Sequence, residues 1–332
     1  MRVVVTGGGG FIGRAIVERL AARGDDVVAL VRDPARAGHL RREHVTLVVS
    51  DLSSVPQLTA QVKGADALIH AAGMYVVGIK KSQRQRMWDA NVGTTERVLD
   101  AAIAAKVPRI VYVSTVGIFG DTHGELVDET YARNLDQGFI SSYDETKFLA
   151  HEVAQQRVTK GAPIVIVQPS QVYGPNDHTL TSIQIEHAYS GKLRYAALTN
   201  SGTCWVHVED LADGIIAALD SGRIGESYVL AGECTRLADA IAIAAHAAGR
   251  KPPRMTMPTS LLRLMAPIND RLGGLPGLPA NLAEVIKAGA GVTYWASHEK
   301  ARRELGFQPR SLQQGINDTW GTGNNDQSRH GH

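Results

Sequence analysis

Tyr143 and Lys147 stand four residues apart in Tyr143-Asp144-Glu145-Thr146-Lys147, and on a helix that spacing puts both side chains on one face. A free phenol, with a pKa of about 10, is a sluggish acid or base near neutrality. A neighbouring ammonium favours the phenolate and brings the group toward its working range. The pair therefore reads as a proton donor and acceptor, with the lysine also able to grip a ribose. Upstream, an apolar run closes on Val113-Ser114-Thr115-Val116-Gly117. A hydroxyl there can hydrogen-bond a carbonyl or alcohol oxygen and turn it toward Tyr143. Thr115 is the first choice and Ser114 the reserve, although either could simply satisfy the backbone of a turn.

Such groups need a second reactant and a frame. Both are announced at the start of the chain, where Val3-Val4-Val5-Thr6 runs into Gly7-Gly8-Gly9-Gly10-Phe11-Ile12-Gly13 and then an amphipathic stretch at 14–22. A strand, a glycine turn and a helix in that order form a dinucleotide-binding unit. Gly7 permits the tight turn, Gly10 the approach of the phosphates and Gly13 close helix–strand packing. The helix N-terminus offers free N–H groups to the pyrophosphate.

The end of the second strand separates the two common dinucleotides, because an acidic residue there holds ribose hydroxyls and an arginine accommodates a 2′-phosphate. This chain has Val31 at the usual acidic position, then Arg32 and Asp33, with Arg36 close behind. Guanidinium suits phosphate, so NADP(H) is favoured, with NAD(H) as the alternative. Asp51-Leu52 follows the third strand, in place to approach an adenine ring. Ala71-Ala72-Gly73 follows the fourth, where small residues let backbone run beside a nucleotide.

Strand-like runs at 27–31, 45–49, 67–70, 110–114 and 164–168 alternate with helical patterns at 55–63, 86–105 and 143–160. That alternation predicts an α/β fold, a doubly wound parallel sheet of Rossmann type with ligands at the carboxyl ends of its strands. Past Gln168 glycine and proline become frequent (Gly174-Pro175, Pro252-Pro253, Gly273 to Gly277), and helices at 210–219 and 237–248 dominate. The expected organisation is a dinucleotide-binding domain over 1–172 and a smaller, mainly helical substrate lobe over 173–310 that also returns segments to the sheet. The polar tail at 321–332 reads as disordered.

A chain 44% hydrophobic and 20% charged fits an ordinary globular protein. Its formal net charge of +2 is too small to suggest nucleic acid or a membrane surface as partner. Cys204 and Cys234 have no metal-ligand spacing and make a poor disulfide framework, so no metal and a reducing, cytoplasmic setting are expected. No signal peptide is expected, and no apolar run approaches the ~20 residues that span a bilayer.

Taken in order, these motifs resemble the extended short-chain dehydrogenase/reductase superfamily, the group of nucleotide-sugar epimerases, dihydroflavonol reductases and 3β-hydroxysteroid dehydrogenases. Thr6 to Gly13 looks like its Thr-Gly-x-x-Gly-Phe-x-Gly, and Asn91-Val92-Gly93-Thr94-Thr95 resembles its Asn-Val-x-Gly-Thr. Pro169-Ser170-Gln171-Val172-Tyr173-Gly174-Pro175 resembles its Arg-Pro-x-x-Val-Tyr-Gly-Pro, with Gln168 in place of arginine. Trp205-Val206-His207-Val208-Glu209-Asp210-Leu211-Ala212 is similar to its His-Val-x-Asp signature. The resemblance implies that Phe11, Ile12, Asn91, Pro169 and Val172 line the cofactor along with Tyr143 and Lys147. It also implies a homodimer pairing the helices at 86–105 and 143–160.

Two departures narrow the group. Nucleotide-sugar members carry Arg-Asp just before the aromatic residue of the His-Val motif, where this chain has Thr203-Cys204. Dehydratases follow the catalytic threonine with Asp-Glu, where Val116-Gly117 stands here. The resemblance therefore implies an NADP(H)-dependent oxidoreductase that interconverts a ketone or aldehyde with an alcohol on a small molecule. A sugar or nucleotide-sugar epimerase using the same residues is the alternative, and a non-catalytic dinucleotide-binding protein a third. The substrate itself falls to segments 74–81, 176–197 and 254–280. There Met255, Met257, Leu261, Leu262, Leu264 and Met265 suit an apolar pocket or plain core equally, and Tyr173, Trp205 and His207 read as structural.

Overall fold

The computed structural model describes residues 1–275 and 278–321, so Pro276, Gly277 and all of the expected disordered tail except Gly321 lie outside the described residues. The first half alternates as the sequence pattern requires: β1 (Arg2–Thr6), α1 (Phe11–Ala22), β2 (Asp26–Val31), β3 (Val45–Val49), α2 (Val55–Val62) and β4 (Ala67–His70). There follow α3 (Arg84–Trp88), α4 (Thr94–Ala104), β5 (Ile110–Val113), α5 (Ser142–Thr159) and β6 (Ile164–Pro169). The second half holds β7 (Gln171–Tyr173), α6 (Leu180–Ser190), β8 (Tyr195–Ala197), β9 (Gly202–His207), α7 (Val208–Ser221), β10 (Ser227–Leu230) and β11 (Glu233–Arg236). Next come α8 (Leu237–Ala247), β12 (Met255–Met257), α9 (Thr259–Arg271), α10 (Leu282–Gly289), β13 (Thr293–Tyr294), α11 (Glu299–Leu305) and α12 (Leu312–Trp320).

Seven strands form one parallel sheet in the order β10-β6-β5-β4-β1-β2-β3. The order reverses between β1 and β4, so the carboxyl ends of these two strands flank the crevice where such sheets bind ligands. Both faces are buried. Val3, Val5 and Ile69 pack with Ile16, Leu20 and Leu211 on one side, and Val4, Leu68 and Ile110 pack with Leu58, Leu99 and Ala150 on the other. Burial on both faces is why these strands read as continuous apolar runs. The sheet closes only with β10, from the second half of the chain, which pairs with β6.

Three sequence expectations change. The helix expected over 86–105 is interrupted by a π-helical turn at Asp89–Gly93, because the Asn91 side chain is committed to bonds outside its own helix. The helix expected from residue 14 begins at Phe11, directly after the glycine turn. The cysteines are paired: Cys204 and Cys234 face each other across the antiparallel β9–β11 ladder and their sulfurs form a disulfide. Thirty residues of sequence separation concealed that juxtaposition. Among the described residues no helix is long and apolar enough to cross a membrane, and no cluster of three or more His, Cys, Asp or Glu could hold a metal ion.

Candidate active site

The opening turn is shaped by steric limits. Gly7 has φ +72°, and a Cβ there would lie 2.8 Å from the Cα of Ala72. A Cβ on Gly13 would collide with the Gly7 carbonyl oxygen. The small residues Ala71 and Ala72 thus form the wall against which the turn closes, and Gly73 continues it. Gly10 caps α1 with no side-chain bond, so the first-turn N–H groups keep no side-chain acceptor. Phe11 and Ile12 turn their side chains onto the core and leave only backbone to a ligand. Pro169 is buried in its pairing with β10, and Val172 packs against the same core cluster.

At the end of β2, Val31 is buried, whereas Arg32 is exposed and its guanidinium has no partner among the described residues. Asp33 takes the Ala35 N–H and lies 3.6 Å from the largely exposed Arg36. Asp51 accepts from the Ser53 hydroxyl at 2.7 Å and its N–H at 2.9 Å, which lowers the carboxyl pKa. It serves first to shape the turn in which Leu52 adopts φ +60°.

The chemistry-bearing residues meet at the carboxyl ends of β4 and β5. Tyr143 is partly exposed at the start of α5. Burial pushes its phenol well above the ordinary value, the neighbouring Tyr75 adds to this, and a hydrogen bond with Thr115 opposes it. The Tyr75 ring stands edge-on to the Tyr143 ring, with centroids 4.7 Å apart. Burial lowers Lys147 to about 8. Its ammonium donates to the Val113 carbonyl at 3.1 Å and lies 5.4 Å from the centre of the Tyr112 ring. Sequence reasoning expected the lysine to govern the tyrosine; in the structure burial is the larger influence on both.

Thr115 and Ser114, in extended backbone just past β5, point to opposite sides. Thr115 lies near enough to Tyr143 to oppose the rise of its phenol, and it accepts from the Gly117 N–H at 3.1 Å. Ser114 is buried against α5, with its hydroxyl 3.0 Å from His151 Nδ1. The reserve candidate thus points into the α5 packing, away from Thr115. His151 in turn meets Gln155, and burial lowers it to about 4. A second buried chain runs Thr6–His70–Thr95, at 2.7 and 3.1 Å, and burial lowers His70 to about 3. Asn91 likewise builds the site. Its amide accepts from the Met74 N–H at 2.7 Å and donates to the Met74 carbonyl and to Thr146 Oγ1, tying the loop after β4 to α5.

Two carboxylates unforeseen from sequence hold α5 in place. Asp144, next to Tyr143, forms a buried bidentate pair with Arg133, at 2.5 and 2.7 Å. Arg133 also donates to the Gly138 and Ile118 carbonyls and lies over the Phe139 ring, tying the β5–α5 connection to the helix. Glu284, buried on α10, accepts from the backbone N–H of Ser142 and from that of Gly78 at 3.1 Å. One side chain thereby joins the C-terminal lobe to the start of α5 and to the loop that carries Tyr75.

Residues 3–231 match the model of a family described as NAD dependent epimerase/dehydratase. A 4-hydroxy-2-methyl-3-oxo-4-farnesyl-3,4-dihydroquinoline-1-oxide ketoreductase of Stigmatella aurantiaca is 30% identical over 95% of this chain and 95% of its own length. A 3 beta-hydroxysteroid dehydrogenase/Delta 5-->4-isomerase of Mycobacterium tuberculosis is also 30% identical, over 93% of this chain and 86% of its own. The crystal structure of gox2253 has a TM-score of 0.80 and 32% sequence identity, covering 96% of this chain and 97% of that one.

Proposed function

The chain belongs to the NAD-dependent epimerase/dehydratase family of the extended short-chain dehydrogenase/reductase superfamily, and on that premise we propose that it is an NADP(H)-dependent reductase. Its reaction interconverts a ketone or aldehyde with an alcohol. The placing of Tyr143 edge-on to the Tyr75 ring, with the Thr115 hydroxyl near enough to act on its phenol, carries this reading: an acid–base phenol and a substrate-orienting hydroxyl share one partly apolar wall. The unpaired Arg32 at the end of β2 favours a 2′-phosphate. At the position where nucleotide-sugar members hold a phosphate, Thr203 is uncharged and Cys204 is buried in its disulfide, which disfavours a diphosphate ligand. The ketoreductase relative acts in the same sense.

The residues present fit a dinucleotide. The glycine turn leaves no room for a Cβ at Gly7 or Gly13, and α1 opens with uncapped N–H groups. Those N–H groups would hold the pyrophosphate, Arg32 the 2′-phosphate and Lys147 the nicotinamide ribose. The dinucleotide, when bound, supplies the hydride equivalent. Thr115 orients the substrate oxygen, Tyr143 delivers a proton to it, and the Lys147 ammonium offsets the negative charge left on the phenol.

A panel of ketones and aldehydes, with UDP-sugars included, followed by NADPH consumption tests the reading. Tyr143→Phe is expected to lower turnover by about 100-fold or more with NADPH binding retained. Interconversion of sugar isomers without net NADPH consumption would establish an epimerase instead. Full turnover by Tyr143→Phe would remove the mechanism.

A further inference from the structure

Helix α9 leaves one apolar face uncovered. Leu262 and Ala266 are buried against Leu282 and Ile286 of α10, but Leu261, Leu264, Ile268 and Leu272 are 45%, 75%, 63% and 65% exposed. Their spacing of three and four residues aligns them in a single stripe. The stripe ends beside the basic segment Lys80-Lys81-Ser82-Gln83-Arg84-Gln85-Arg86, for Lys80 Nζ lies 3.5 Å from a Cβ placed on Gly273. Lys80, Lys81, Arg84 and Arg86 are exposed, form no ion pair among the described residues, and have no acidic residue between them. Arg263 and Arg271 on α9 itself are exposed and unpaired as well. The acid nearest the stripe, Asp270, is used internally to accept from the Leu282 and Ala283 N–H groups. Tyr75 and Val76, in the loop leading to Lys80, are 51% and 41% exposed, and Tyr75 touches Tyr143.

We propose that α9 and the 80–86 segment form a docking surface for an anionic lipid bilayer. An aliphatic stripe bordered by cations is what an interfacial helix presents to acyl chains and acidic headgroups. A second copy of the chain fits worse, because a two-fold pairing of this face would bring like charges together. Nucleic acid would use the cations and leave the four aliphatic side chains unsatisfied. The overall charge of +2 conceals the site, since the remaining arginines are largely paired with carboxylates elsewhere, as Arg310 is with Asp210 and Arg157 with Asp100. Docking there sets the Tyr75 side of the catalytic cleft at the bilayer surface, where an apolar substrate would reach it without crossing water. The binding stands apart from the reaction and would survive a failed ketone assay.

Co-sedimentation of the full chain with vesicles of phosphatidylcholine alone, or mixed with phosphatidylglycerol, reads the proposal directly. Binding is expected only to the mixed vesicles and is expected to fall as salt is raised. Each surface cation removed should lower partitioning about fivefold, so Lys81→Ala with Arg84→Ala loses roughly 25-fold. Leu264→Ser with Ile268→Ser should abolish binding while leaving the circular dichroism spectrum unchanged. Equal binding to both vesicle types, absence of binding to either, or full binding by the Leu264→Ser/Ile268→Ser protein would each overturn it. So would a dimer in solution that this double variant dissociates.

Discussion

Replacing Glu284 by alanine removes the acceptor of two backbone donors, Ser142 N–H and Gly78 N–H, at a position only 8% exposed. Each buried donor left without a partner costs ~1–3 kcal/mol. The carboxylate also lies at the N-terminus of the eighteen-residue α5, an interaction of ~0.5 kcal/mol. Together these give a loss of about 4 kcal/mol, against about 2 kcal/mol for Glu284→Gln, which keeps one acceptor oxygen. Urea titration of the full-length variants measures both. Stability alone would not separate a strut from a positioning residue, so the second readout is kinetic. Tyr143 follows Ser142 directly and Tyr75 sits three residues before Gly78, so loosening either end disturbs the Tyr75–Tyr143 contact. Glu284→Gln, folded at assay temperature, should lose roughly tenfold in kcat, as expected for a small displacement of a reacting group. KM for the dinucleotide should hardly move, because the glycine turn makes no contact with Glu284. A loss under ~1 kcal/mol for Glu284→Ala would show that the two N–H groups find other acceptors. Wild-type kcat in Glu284→Gln would show that the clasp does not position the phenol.

Arg32→Ala should weaken NADPH binding by about 10- to 100-fold, the worth of charge-assisted hydrogen bonds at ~1.5–3 kcal/mol, with NADH affinity unchanged; titration calorimetry with both nucleotides decides it, and parallel losses would sink the 2′-phosphate assignment. His70 and His151 are held neutral by burial, at about 3 and about 4, whereas in the unfolded chain each titrates near a pKa of about 6.5. Below that value the unfolded state binds more protons than the folded one. Stability is therefore undiminished above about pH 6.5 and falls by up to about 2.7 kcal/mol per pH unit toward pH 4. His70→Gln should roughly halve that slope in denaturant titrations, and an unaltered slope would mean that other groups control acid unfolding.

Local features were legible in the sequence, and features assembled from distant segments were not. The strand–glycine turn–helix unit lies within residues 2–22, and its steric logic reappears unaltered at Gly7 and Gly13. Thr115 and Tyr143 could be matched because strand and helix periodicity fix which way a side chain points. The same periodicity could have demoted Ser114, which must face opposite to Thr115. Glu284 and Ser142 are 142 residues apart, and a glutamate in a helix gives no sign that it will accept backbone bonds elsewhere. The cysteines failed for a related reason: their pairing depends on β11 returning beside β9, a register set by the lobe as a whole. Asn91 was legible as a motif but not in its role, since only the structure shows Met74 and Thr146 occupying its amide.

The direction of proton transfer follows from which influence on Tyr143 is largest. If the lysine prevailed, the phenol would titrate near neutrality and serve about equally as acid and base. Burial prevails, with Tyr75 acting in the same sense, and both favour the protonated phenol. A protonated phenol is ready to donate, and the group it must protonate in ketone reduction is an alkoxide-like oxygen of higher basicity still. Alcohol oxidation instead requires the phenolate, which this pocket disfavours until positive charge is brought close. Lys147 shares its ammonium with the Val113 carbonyl, so the offset it gives the phenolate is partial. On the proposed reductase reading the resting phenol is prepared for the reductive direction, whereas an epimerase would need the base in its first half-reaction and the acid in its second. The pH profile carries this argument to measurement. Ketone reduction should be flat from pH 6 to about 8 and decline above it as Lys147, lowered to about 8, loses its proton. A reduction rate that instead fell from neutrality downward would mean that the phenolate is the working form and that burial does not control the site.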